Sequence, residues 1–184
     1  PSCRYDDNLA ERLLGVFPEP SMNATRTPPS QRLVTRARAL TVDEAAGIAW
    51  LGALQHDERE RALSDLKVVQ VSAGELLCRV GRPATYWFGV IDGLLKMSND
   101  TAMGIPITFT GIPPGGWFGE GTVIKREAYR YNIQALRKSL VAGLDIETFH
   151  WLLDRSIPFN RFITQQLNER LGQFIAAREI DRLT

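Results

Sequence analysis

The chain has 184 residues, 44% of them hydrophobic, and its 22 Lys plus Arg stand against 21 Asp plus Glu for a formal net charge of +1. That length makes about one domain with room for a sizeable core. So even a balance excludes a summed field that would gather nucleic acid, a membrane surface or a highly charged substrate, and any charged ligand has to be caught locally.

Two cysteines, Cys3 and Cys78, and two histidines, His56 and His150, fall short of the spaced clusters that zinc or an iron–sulfur centre demands. No metal site, haem or iron–sulfur cluster is expected. The polar opening Pro1 to Asn8 lacks the basic start and apolar middle of a secretory signal, and no apolar run approaches the ~18 residues of a membrane span. The expected location is cytoplasmic.

Residues 1–40 read as an N-terminal arm, partly irregular. Leu9, Leu13, Leu14 and Phe17 offer a short apolar helical face, but four prolines follow between Phe17 and Ser30, and proline breaks such a run. The arginines at 32, 36 and 38 read as a solvated face. Thr41-Val42-Asp43-Glu44 is a capping box and predicts a helix start. Asp57 then leads a second helical run to Leu66, with Ala62, Leu63 and Leu66 at helical spacing.

From Val68 to Leu144 the texture turns to short β-rich pieces. Turn signals stand at Ser72-Ala73-Gly74, Gly81-Arg82-Pro83, Asp92-Gly93, Ser98-Asn99-Asp100 and Pro113-Pro114-Gly115-Gly116. Punctuation every ~8 to 12 residues predicts an all-β sandwich or barrel. Ile105, Ile107 and Phe109, and likewise Tyr131, Ile133 and Ala135, alternate with other residues as strands with one buried face should. Trp50, Trp87, Trp117 and Trp151 are scattered over four elements and read as core aromatics. Cys78, between Leu77 and Arg79 in a strand, reads as a small core hydrophobe.

The helical period returns after Leu144. Asp145 caps a helix carrying Ile146, Phe149, Trp151, Leu152 and Leu153, and Ser156 with Pro158 opens a longer one. Along it Ile163, Leu167, Leu171 and Phe174 step by four, four and three, with Ile180 and Leu183 continuing. Such a narrow stripe asks for a partner helix: it could lie on its own barrel, but a seam this long beside a compact β domain is better explained by pairing with its twin, and these residues are the expected dimer seam.

The densest signal is Pro114-Gly115-Gly116-Trp117-Phe118-Gly119-Glu120, followed ten residues after Glu120 by Arg130. Gly119 admits close backbone approach of a ligand, and a short helix beginning near Gly121 would aim free amides at a phosphate. Glu120 can accept from a ribose hydroxyl, and Arg130 offers a planar fork of donors suited to a cyclic phosphate. The same residues allow an ion pair from Glu120 to Arg130 that merely closes a pocket. The central expectation is that these two side chains face one hollow roofed by the last helix.

With Ser72 to Gly81 and the Asp92-Gly93 turn, this cassette resembles the cyclic-nucleotide-binding β-roll of the Crp/Fnr family of bacterial transcription regulators, over about Trp50 to Thr184. The resemblance implies a mainly β fold with flanking helices (α+β): a cyclic-nucleotide-binding-like jelly roll at 41–155, then a long dimerisation helix at 156–184. It implies a winged helix-turn-helix after 184, which this chain does not carry. Gly119, Glu120, Gly121 and Arg130, together with Tyr131, Phe174 and Ile175, are the expected effector-binding positions.

Two departures from the family pattern bear on the ligand. Where nucleotide-binding relatives follow the Arg with Ser or Thr and then Ala, this chain has Tyr131 and Asn132. Where cyclic-AMP readers carry Thr-Ser on the long helix, it has Phe174 and Ile175, which cannot hydrogen-bond an adenine. A cyclic nucleotide, another small effector in the same cavity, and no ligand at all stay open.

The expected function is the effector-sensing and dimerising part of a Crp/Fnr-type regulator. Its partners would be a second copy, a small effector and, through the following domain only, DNA. The alternative is a stand-alone cyclic-nucleotide-binding module governing a partner protein. No paired nucleophile and base and no Walker loop is present, so an enzyme is not expected.

Overall fold

The computed structural model describes residues 36–100 and 106–181. Expectations placed on the arm at 1–35, on Cys3, Arg32, Ile105 and Leu183, and on the side chain of Ile180 lie outside the described residues. Strand β1 (Arg38–Ala39) leads into three short helices, α1 (Val42–Ala46), α2 (Ala49–Ala53) and α3 (His56–Asp65). The capping box forms as read: Glu44 N donates to Thr41 Oγ1 at 3.2 Å, and Thr41 N donates to Glu44 Oε2 at 2.8 Å. Arg38 adds both guanidinium nitrogens to the same carboxylate, which holds Glu44 down at about 2. Of the arginine run, Arg36 thus pairs with Glu75 and Arg38 with Glu44.

The β-rich middle comprises β2 (Lys67–Val71), β3 (Leu76–Cys78), β4 (Tyr86–Asp92), β5 (Leu95–Asp100), β6 (Pro106–Ile112), β7 (Trp117–Phe118), β8 (Asn132–Ala135) and β9 (Ser139–Asp145), with helix α4 (Glu120–Lys125) between β7 and β8. The strands form two antiparallel sheets, ordered β1-β2-β9-β4-β7 and β3-β8-β5-β6. This is the mainly β fold with flanking helices that the sequence predicts. In β8 the alternation works as read, with Ile133 and Ala135 buried. In β6 it does not: Ile107 and Phe109 are 50% and 56% exposed. That strand is the edge of its sheet, bonded to β5 alone, and it is buried at its far end, where Ile112 is 5% exposed.

Helices α5 (Ile146–Arg155) and α6 (Ile157–Asp181) complete the chain. Asp145 caps α5 by accepting from Glu147 N at 2.8 Å. Buried Ser156 joins the two helices: its N–H bonds Leu152 O, and its hydroxyl accepts from Phe159 N and donates to Glu58 Oε2 at 2.8 Å. One side chain therefore satisfies orphan groups at both helix ends. The long helix then drives Phe159 and Ile163 into the core beside Trp50, Trp87 and Phe149.

Three of the four tryptophans meet there. Trp87 lies 4.3 Å from Trp117 and 5.4 Å from Trp50, centroid to centroid, and Trp50 lies 5.3 Å from Trp117. Trp151 packs against the margin of the core, partly buried, with the Arg61 and Arg155 guanidinium carbons 4.3 and 4.2 Å from its ring centre. Gly89 in β4 makes the inner packing possible, because a Cβ there would fall 2.3 Å from the Trp117 ring. Gly89→Ala is therefore expected to cost about 1–3 kcal/mol through overpacking, measured by urea unfolding.

Ile163 corrects the sequence reading of the seam. It is 3% exposed and belongs to this chain's own core. At 3.6 residues per turn, steps of four drift around the helix, so Ile163 aligns with Phe159 against the domain while Leu167, Leu171 and Phe174 turn outward, 41%, 57% and 62% exposed.

Candidate functional site

The cassette is built at the junction of β7 and α4. Gly119 adopts a left-handed backbone, φ 90°, and caps α4, a conformation that glycine reaches without a Cβ penalty. The turn sends Glu120 inward, where it is 2% exposed. Its partner comes from the far element: Arg170 Nε on α6 lies 2.6 Å from Glu120 Oε1, and Arg170 Nη2 donates to Trp117 O. One arginine thus ties the cassette to the long helix.

Electrostatically the pair is incomplete. Glu120 Oε2 is buried without a hydrogen-bond partner. Burial raises the Glu120 carboxyl above its ordinary value, against the opposing pull of Arg170. The Trp87 N–H itself stands outside close hydrogen-bond geometry. A buried carboxylate oxygen in that state has unused capacity for a donor.

Tyr131 stands over Gly119. Its hydroxyl would lie 3.7 Å from a Cβ placed on Gly119, and its ring packs 6.0 Å from that of Tyr129. Tyr129 is fixed in turn by donating to Tyr86 O at 3.2 Å. Burial raises the Tyr131 phenol, with the Thr122 side chain easing that shift by a hydrogen bond. Cys78, 3% exposed beneath them, has its thiol pushed up to about 12 by burial, so it stays an inert thiol.

The far end of α4 is held by α5. Arg126, in a left-handed cap, gives two hydrogen bonds to Glu147, and His150 Nε2 lies 2.9 Å from Val123 O. Since a carbonyl only accepts, His150 carries its proton on Nε2. The ring is half-buried between α4 and α5. Among the described residues no group of three or more His, Cys, Asp or Glu could hold a metal ion.

Of the positions singled out in the sequence, the structure gathers Gly119, Glu120 and Tyr131 around one spot, with Gly121 in the first turn of α4. It does not bring Arg130 to them. The Arg130 side chain is 72% exposed and pairs with Glu127 at 3.2 Å, so Glu120 and Arg130 do not face a common hollow. Phe174 and Ile175 lie one turn past Arg170 and are 62% and 52% exposed. A cleft of about 240 Å³ reaches Trp117 from the side of Asp43, Glu44 and Ile48, and Glu120 is not among its walls.

Arg170 is the residue that sequence reasoning missed. The signal was present: Phe159, Ile163, Gln166 and Arg170 recur at four, three and four on the face turned to the domain. An arginine in a core-facing stripe asks for a buried carboxylate.

Residues 68–156, which take in both sheets' central strands, the cassette and α5, match the family model described as cyclic nucleotide-binding domain. The chain carries a cyclic nucleotide-binding domain. Solved structures with this fold include the sensor domain of the transcriptional regulator DNR from Pseudomonas aeruginosa, 19% identical, covering 73% of this chain and 90% of that one, with a TM-score of 0.62. The Catabolite Activator Protein of Thermus thermophilus is 21% identical over 73% of this chain and 62% of its own, with a TM-score of 0.61. A regulatory subunit of a cAMP-independent protein kinase A from Trypanosoma brucei is 18% identical over 73% and 50%, with a TM-score of 0.59. The chain thus spans about 62% of the Thermus activator's length. No curated protein matches it by sequence. The cyclic nucleotide-binding domain is a regulatory fold, and the described part of this one has no helix long and apolar enough to cross a membrane.

Proposed function

We propose that this chain is the effector-sensing and dimerising part of a cytoplasmic Crp/Fnr-type transcription regulator, with DNA read by a C-terminal domain beyond residue 184. The observation that carries this reading is the pair from Glu120 to Arg170, which joins the cassette of the roll directly to α6. An effector that offers a donor to the idle Glu120 Oε2, or competes for Oε1, changes how firmly the middle of α6 is held. Through differential binding to two arrangements of the helix pair, it would set the spacing of two DNA-reading heads. The outward stripe Leu167, Leu171 and Phe174 supplies the apolar surface for pairing two such helices.

The regulator likenesses in the Pseudomonas and Thermus proteins support this reading over catalysis. A thermal-shift panel of cyclic mononucleotides, cyclic dinucleotides and small aromatic compounds tests it, because a ligand of the native state stabilises by about 2.7 kcal/mol at one hundred times its dissociation constant. At least one compound is expected to raise the melting temperature of the chain, and Glu120→Gln to abolish that rise. A panel in which nothing stabilises the protein would count against effector sensing.

A further inference from the structure

Tyr131 is a large, partly buried side chain that stands over Gly119, the left-handed glycine that caps α4. Gly119 leaves the space open, and the Tyr131 hydroxyl stands over it, 3.7 Å from the missing Cβ. The ring cannot simply swing aside, since it packs against the core and against Tyr129, which is pinned to β4. It is uncharged at neutral pH, because burial raises the phenol further above its ordinary value.

The cations around it are committed elsewhere. Arg170 is bound to Glu120 and to Trp117 O, and Arg130 points outward onto Glu127. A phosphate brought to this spot would therefore meet a phenol ring in its place and an idle carboxylate oxygen nearby, while the nearby Arg170 is already taken by Glu120 and Trp117 O.

Resting on the sensor reading above, we propose that Tyr131 is a built-in occupant of the cassette and the residue that sets its specificity, its ring excluding a cyclic phosphate from the wild-type site. Shortening that side chain opens the space over Gly119 and leaves a small hydroxyl in it. Arg130, held only by its exposed pair with Glu127, is the adjacent cation that a phosphate admitted there could recruit.

Titration calorimetry of the whole chain with 3′,5′-cyclic AMP and 3′,5′-cyclic GMP tests this. The wild type is expected to give no binding heat. Tyr131→Ser should gain affinity for at least one of them, by at least roughly tenfold over any residual wild-type binding. Tyr131→Phe, which keeps the ring, should stay without binding, and Arg130→Ala added to Tyr131→Ser should remove the gain. Tyr131→Thr serves as a second truncation should the serine variant fail to fold. Wild-type binding as tight as that of the truncated variants overturns the proposal, as does a folded truncated variant that binds neither nucleotide, or binding by Tyr131→Phe. A failure of the sensor reading itself looks different: no compound of any class stabilises the chain, whatever stands at position 131.

Discussion

Arg170→Ala is expected to lower the melting temperature, and to lower it more at pH 8 than at pH 5. The substitution strips Glu120, 2% exposed, of its countercharge. Breaking a fully buried pair costs about 3–5 kcal/mol, but the Arg170 side chain is 34% exposed, and solvent screening reduces the expected loss to about 1–3 kcal/mol. The pH dependence follows from the carboxyl itself. Its folded value lies above the ordinary 4.5, so the folded state binds a proton more readily than the unfolded chain does. The stability tied to that proton is whole below about 4.5 and is lost as pH rises through the folded value. Removing Arg170 takes away the charge that opposes the rise, which widens the window upward. Thermal melts at the two pH values, with Glu120→Gln as the variant that cancels the difference, measure this. Equal losses at both would show that the carboxylate is not what Arg170 holds in check.

Leu167→Glu should turn a dimer into monomers, read as mass by light scattering. Leu167, Leu171 and Phe174 are large apolar side chains turned away from their own domain. On the proposed reading they meet a second copy. A carboxylate buried in such a seam costs several kcal/mol, and ~3 kcal/mol already weakens pairing more than a hundredfold. Leu167 is 41% exposed within its own chain, so folding should hardly notice the change, and mass alone reports the interface. An unchanged mass would place the contact between copies elsewhere. Ile163 is the wrong probe, because its loss would open a cavity in the core of each protomer.

What could be read from the sequence was whatever a few neighbouring residues decide. Thr41 with Glu44, Asp145 before α5, and Ser156 before α6 each satisfy backbone groups within a turn, so caps and helix starts were visible. The strand rhythm was visible for the same reason. The site was legible only in part. Gly119 and Glu120 are adjacent and their turn is local, whereas the partner of Glu120 stands fifty residues later on another element. Arg130 looked like that partner because it is nearer along the chain and chemically suited. Its direction depends on which way one residue faces at the entry to β8, and there Tyr131 takes the inner position and Arg130 the outer. Apolar residues at steps of four, four and three likewise span two helix faces, so Ile163 falls in line with residues that point to solvent.

Past Arg170, residues 171–176 of α6 are exposed and the helix runs on to Asp181, roughly 16 Å at 1.5 Å per residue. Geometry makes that overhang a lever with its fulcrum at the arginine. A tilt of only ~10° there sweeps the tip through ~3 Å over such a length, so a shift too small to notice at Glu120 arrives amplified wherever the helix ends.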